Sequence, residues 1–131
     1  NGRDRSKFEI VASLMAVVGD SDEEIQKGFD RVRESISFYG STPAYKGVFE
    51  CHGWYDLQPK LNRLSKEGKW DEMARSIPQE VIEAFAVTGK AEEVVEKRKK
   101  IFAGHVDRTG LGMDISDPDR TKALIKQMRA P

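Results

Sequence analysis

The run IVASLMAVV, Ile10 to Val18, constrains the fold more than any other part of this chain. Its apolar side chains fall on both faces of an extended backbone. A half-solvated strand would alternate apolar with polar residues. Continuous hydrophobicity instead predicts a parallel strand covered on both sides, here spanning Lys7 to Gly19. Val11, Val17 and Val18 favour that conformation because β-branched side chains fit a pleated surface. A short buried helix is the alternative reading.

Such a strand needs partners, and the 131 residues offer one domain's worth of chain, read as a single domain over 1–131. Charged residues make up 34% and hydrophobic ones 38%, the balance of an ordinary globular protein. Lys plus Arg equals Asp plus Glu at 22 each, which argues against nucleic acid or an anionic membrane as a partner. No apolar run approaches the ~20 residues that cross a bilayer. Cys51 is the single cysteine, so neither a disulfide framework nor a thiolate metal site is expected, and a reducing cytoplasm is the default location. The chain opens Asn1-Gly2-Arg3 and enters the apolar run almost at once, as a piece beginning within a longer protein would.

Helical signals follow. Ser21 and Glu24 form a capping box, and Ile25, Phe29, Val32 and Ile36 recur as one stripe up to Gly40. Asp56 is placed to cap a helix carrying Leu57, Leu61 and Leu64, closed by Gly68. In KWDEMARSIP, Trp70, Met73 and Ile77 are expected to pack inward. Pro78 opens a helix through Val81, Ile82 and Phe85, and VTG reads as a glycine turn. An amphipathic helix then carries Val94, Val95, Arg98, Ile101 and Phe102 to a stop at Gly104. HVDRTGLGM reads as a weak strand, since Gly110 and Gly112 bring no side chain to pack. The last helix is capped by Ser116 or Asp117, with Leu124, Ile125 and Met128 facing inward. Two strands separated by helices predict parallel pairing, an α/β arrangement of about two βα units with a helical insertion, mostly helical by content.

The motifs GRDRSKFEIVASL, SISFYGSTPAY, HGW, LSKEGKWDEM, IPQEVIEAFAVTGKAEEV and HVDR, in this order, resemble the C-terminal part of the luciferase-like monooxygenase family, nearest the branch that uses coenzyme F-420. The resemblance implies a (β/α)8 TIM barrel, of which this chain supplies a partial segment, since such barrels take ~250 residues. It also implies oxidoreductase chemistry with coenzyme F-420 or FMN in the complete protein, none of it held tightly by this chain alone. The family's main flavin-contacting strands lie earlier in the barrel. The chain departs from the family after VTG, where Lys90-Ala91 stands in place of Ser or Thr followed by Pro or a similar residue. Lysine caps poorly, so the expectation is either a looser helix start or Thr88 as the substitute cap.

Within that frame Tyr39, Tyr45, His52 and Trp54 are substrate-pocket candidates, and the alternative is that they only anchor the insertion. No second group is paired with His52 to make it a general base, and no catalytic residue is assigned. Cys51 is expected to be an inert buried thiol. Gly110 and Gly112 are cofactor-proximal candidates, or mark a bulge or a frayed end. The start of the helix in GKAEEV is a generic anion site, but Glu92 and Glu93 already occupy it. EEVVEKRKK reads as a solvated face whose charges suit the helix dipole.

Three readings result. The chain is the C-terminal segment of a luciferase-like oxidoreductase, acting on a small molecule and inactive alone. Or it is a stand-alone, non-catalytic module that self-associates, most simply as a homodimer, through its apolar strand. The third is an unrelated helical domain with incidental strands.

Overall fold

The computed structural model describes residue 2 and residues 4–130, and among these it is a mixed α/β structure with helix predominating. It resolves into two compact units, one made of residues 1–25 and 86–131 and the other of Gln26–Phe85.

Among the described residues, the strands all fall in the first unit. The apolar run is not one strand but two, β1 (Val11–Ala12) and β2 (Met15–Val18), broken at Ser13-Leu14. β2 pairs in parallel with β3 (Ala86–Gly89), Met15 opposite Ala86 and Val18 opposite Gly89. β1 pairs in parallel with β4 (Arg108–Thr109). β3 occupies the stretch read from sequence as a glycine turn. Gly89 masked it, because a four-residue strand ending in glycine carries too little apolar signal. The expected parallel pairing is present, in two separate two-stranded sheets.

Helix α6 (Ala91–Phe102) follows β3, and α7 (Pro118–Arg129) closes the chain. Ala91 and Val95 of α6 and Leu124 of α7 are buried together, with Val18, Leu111, Met113, Ile115 and Met128 packed around them. Val17 is fully buried, whereas Val11 is 60% exposed, so the apolar run is covered only over its second half. Ile125 is exposed, contrary to the inward placement expected of it. It follows Leu124 directly, about 100° further round the helix, and the buried stripe takes Leu124.

α6 starts without help from Thr88. Glu93 accepts from the Lys90 backbone N–H at 3.2 Å, while the Thr88 carbonyl is taken by Lys97 Nζ at 2.6 Å. At α7, Asp117 accepts from the Asp119 N–H at 2.9 Å, as its sequence position predicts.

The second unit is helical: most of α1 (Asp22–Gly40), then α2 (Lys46–Glu50), α3 (Leu57–Lys66), α4 (Trp70–Arg75) and α5 (Gln79–Phe85). Val32 and Ile36 of α1, Leu61 and Leu64 of α3, Met73, Ile77, Val81 and Ile82 are buried. Asp56 flanks α3, but its carboxylate makes no capping bond. Trp70 departs from expectation: it is 51% exposed while its stripe partners Met73 and Ile77 are buried. It is the first residue of a short helix, just past the turn at Gly68 (φ +70°), and so overhangs the end of the core.

Candidate functional site

The loop that joins α1 to α3 is built by local backbone bonds. Ser41 N–H donates to Ser37, Thr42 to Tyr39 and Tyr45 to Thr42, each at 3.0 Å. The Ser41 carbonyl then accepts from Gln58 at 3.2 Å and Asn62 at 2.9 Å, which fastens the loop to α3. This brings Tyr45 beside Tyr39, their rings 6.2 Å apart, with Phe38 edge-on to Tyr39 at 5.6 Å. All three remain exposed, Tyr45 least so at 41%.

Beyond α2 the chain turns through Gly53, whose φ of +82° only glycine adopts cheaply. His52 and Gly53 N–H groups donate back to Phe49 and Glu50, and Trp54 N–H also reaches the Phe49 carbonyl at 3.1 Å. The turn sets His52 flat against Trp54, with ring centroids 4.6 Å apart and planes 13° from parallel. Phe85 stands edge-on to both, 5.5 Å from His52 and 6.0 Å from Trp54. Phe49, buried, closes the group at 6.0 Å from Phe85. A Cβ on Gly40 would lie 2.6 Å from the Phe49 ring, so that glycine is a packing requirement of the cluster.

The four sequence candidates therefore fall into two groups, an exposed Tyr39–Tyr45 pair and a His52–Trp54 stack. Phe49 and Phe85 belong to the second group and were not singled out by sequence. Phe85 offered only its place on a helical stripe, which marks burial and not ring contact. Cys51 is exposed and not the buried thiol expected; it sits at the end of α2 with its thiol donating to the Val48 carbonyl at 3.0 Å. The ring nitrogens of His52 have no hydrogen-bond partner among the described residues, so no acid–base pair forms around it.

In the first unit, Gly110 and Gly112 lie just past β4, and the group that approaches them is a side chain of the chain itself. Arg98 is wholly buried and donates to the carbonyls of Leu14, Gly110 and Leu111. Its Nε has no partner among the described residues, and burial pushes its pKa down. Gly112 has φ +57°, and a Cβ there would come within 3.2 Å of the guanidinium. At the C-terminal ends of β2 and β3, Arg120 bridges two acids. It donates to Asp20 at 2.7 and 3.1 Å and to Glu92 at 3.0 and 3.2 Å. These bonds hold both carboxyls below their usual pKa and push Arg120 up.

A flavin or deazaflavin ring needs a concave, largely apolar slot with a few placed polar groups. A groove of about 600 Å³ in the first unit is lined by Glu9, Arg98, Phe102, Arg108 and Met128 among others. A second, of about 410 Å³, lies in the other unit between Phe38 and Trp70. Neither gathers His52, Trp54 or the two glycines, so neither makes such a slot from the candidates. No group of side chains suited to a metal ion occurs among the described residues, and none of their helices is long and apolar enough to cross a membrane.

Parallel strand pairs in which β2, β3 and β4 each lead into a helix are the local architecture of a mixed α/β protein, and the sequence agrees at family level. The luciferase-like monooxygenase profile matches residues 1–129, and the chain belongs to that family. It is 44% identical over 108 residues to an uncharacterized protein of Mycobacterium tuberculosis, covering 82% of this chain and 32% of the relative. An uncharacterized protein of Mycobacterium bovis matches equally. The 5,10-methylenetetrahydromethanopterin reductase of Archaeoglobus fulgidus is 27% identical over 128 residues, covering 94% of this chain and 37% of the reductase. The chain thus spans about a third of the length of the curated relatives it matches. No solved structure matches it significantly.

Proposed function

We propose that this chain is the C-terminal segment of a luciferase-like oxidoreductase that uses coenzyme F-420 or FMN, and that it is not catalytic alone. The observation that carries the reading is a mismatch. The family profile runs over residues 1–129, yet the strands of the described residues form only two-stranded pairs. A (β/α)8 barrel encloses its site with eight strands, and its active face lies at their C-terminal ends. The cofactor, when bound in the complete protein, supplies the electron or hydride chemistry. This segment's share is to close the barrel and furnish part of the substrate wall. Tyr39, Tyr45, His52 and Trp54 are that wall, with His52 held as a flat, stacked surface and no proton-transfer partner. Gly110 and Gly112 sit nearest the cofactor, in backbone whose position Arg98 fixes. A relative named a reductase favours reduction over oxygen insertion.

Fluorescence titration of the chain with coenzyme F-420 and with FMN tests this directly. The expected result is no saturable binding by the isolated chain, and binding restored when it is joined to the remaining two thirds of a full-length relative. Turnover of any substrate by the isolated chain refutes the proposal.

A specific observation favours self-association as a second reading. Phe8, Ile10 and Val11 are 48%, 38% and 60% exposed at and before the short strand β1. An uncovered apolar strand edge attracts another strand, whether from a second copy or from the rest of a barrel. We propose a homodimer through this edge for the isolated chain. Sedimentation showing a monomer at micromolar concentration excludes it.

A further inference from the structure

The groove between α1 and α4 has no place in the oxidoreductase reading, and its chemistry is one-sided. Its volume of about 410 Å³ falls in the range of small-molecule sites. Phe38 and Trp70, 59% and 51% exposed, form its sides. Its floor is the buried Met73 and Ser37, and the Ser37 hydroxyl is already spent on the Glu34 carbonyl at 2.9 Å. Ala74 and the exposed Glu34 and Asp71 complete the lining. The ion pairs of this unit engage Asp30, Glu50 and Glu67, and none takes Glu34 or Asp71. No lysine or arginine lines the groove.

The lining combines two aromatic rings, a methionine and two carboxylates with the smaller Ser37 and Ala74, and its only charges are negative. A ring face attracts a cation through its quadrupole, and aromatic cages with nearby acids select quaternary ammonium and guanidinium groups. A neutral apolar ligand would fill the volume but leave the carboxylates unused, and an anion would be repelled. We infer that this groove binds a small organic cation of the quaternary-ammonium or guanidinium class. The position of Trp70 follows from the same account. Its stripe partners Met73 and Ile77 are buried, and its ring is left outside the core as a wall.

The inference is independent of the redox reading and is tested without cofactor. Proton–nitrogen NMR spectra of the full chain are recorded while tetramethylammonium or methylguanidinium is added at constant ionic strength, with tert-butanol as the neutral isostere. The expected result is saturable shifts at the Trp70 indole and at the backbone of Glu34, Phe38 and Met73, with half-saturation on the order of millimolar. Glu34→Gln combined with Asp71→Asn is expected to weaken binding at least ~10-fold, as the loss of two carboxylates close to a partly desolvated cation requires. Both side chains are exposed and unpaired, so that variant keeps its fold. Three results each overturn the inference: a non-saturating response, an equal response to tert-butanol, or undiminished binding by the amide variant. Binding only of peptides bearing methylated lysine, with no response to the free cations, also overturns it.

Discussion

Gly40→Ala is the most direct probe of how the loop and the aromatic cluster are held. A methyl group at this position would sit 2.6 Å from Phe49 Cζ, 2.7 Å from Cε2 and 3.0 Å from Leu61 Cδ1. Phe49 and Leu61 are 3% and 0% exposed, so neither can swing into solvent without vacating the core. Overpacking of this kind costs roughly 1–3 kcal/mol. Alanine's helix preference returns up to ~1 kcal/mol, and less than that at the last residue of α1. The net expectation is a loss of ~1–2 kcal/mol, read by urea unfolding followed through tryptophan fluorescence. Trp54 contacts Phe49 and reports the same event. Gly47→Ala is the matched control: it lies within α2, and nothing comes within 4 Å of its added Cβ, so it should stabilise by ~0.5–1 kcal/mol. Phe49→Leu, which removes the ring, should relieve Gly40→Ala, giving a coupling of at least ~0.5 kcal/mol in the double-mutant cycle. If Gly40→Ala matches the wild type, or if the two changes add without coupling, the packing argument fails.

Arg98→Met is expected to destabilise by ~2–4 kcal/mol, because it strips the donors from three carbonyls in part-buried surroundings while removing an unpaired buried charge; thermal unfolding by circular dichroism measures it, and wild-type stability would refute the clamp. Gly112→Ala should cost ~1–2 kcal/mol through its left-handed backbone and the approach to that guanidinium, with the loss smaller in an Arg98→Met background. The Arg120 bridge predicts a pH dependence of known sign. Asp20 and Glu92 have folded pKa values below their unfolded ones, so their contribution is present above the unfolded pKa of ~4 and is lost as pH falls through the depressed values. The Tm difference between wild type and Arg120→Ala should therefore be largest at pH 5 and above and vanish toward pH 2. A difference that persists unchanged at pH 2 contradicts the assignment.

Local signals were enough to place most helices. The Ser21–Glu24 start of α1, the Asp117–Pro118 start of α7 and the stripes through Val32–Ile36 and Leu61–Leu64 depend on neighbours one turn away, and the structure keeps them. The misplaced features share a different cause. β3 is short and ends in glycine, so only its pairing with β2 reveals it. Trp70 and Ile125 satisfy a periodic pattern, yet burial depends on whether another element lies opposite, and periodicity does not encode that. Cys51 lies at a helix end whose orientation the Gly53 turn decides.

The candidate site divides the same way. The ordered motifs along the chain indicate the family, and the residue types in FYGSTPAYKGVFECHGW single out Tyr39, Tyr45, His52 and Trp54. Their separation into an exposed pair and a stacked pair, the recruitment of Phe85, and the closing of Arg98 on carbonyls far away in sequence are tertiary facts. Sequence alone determined what the backbone does within a few residues, since capping, turn and stripe energies act over one or two turns. The partners that join separate elements were left to the folded chain, among them Phe85 against His52, β3 against β2 and Leu14 against Arg98, because those contacts join residues tens of positions apart and exist only once the core has formed.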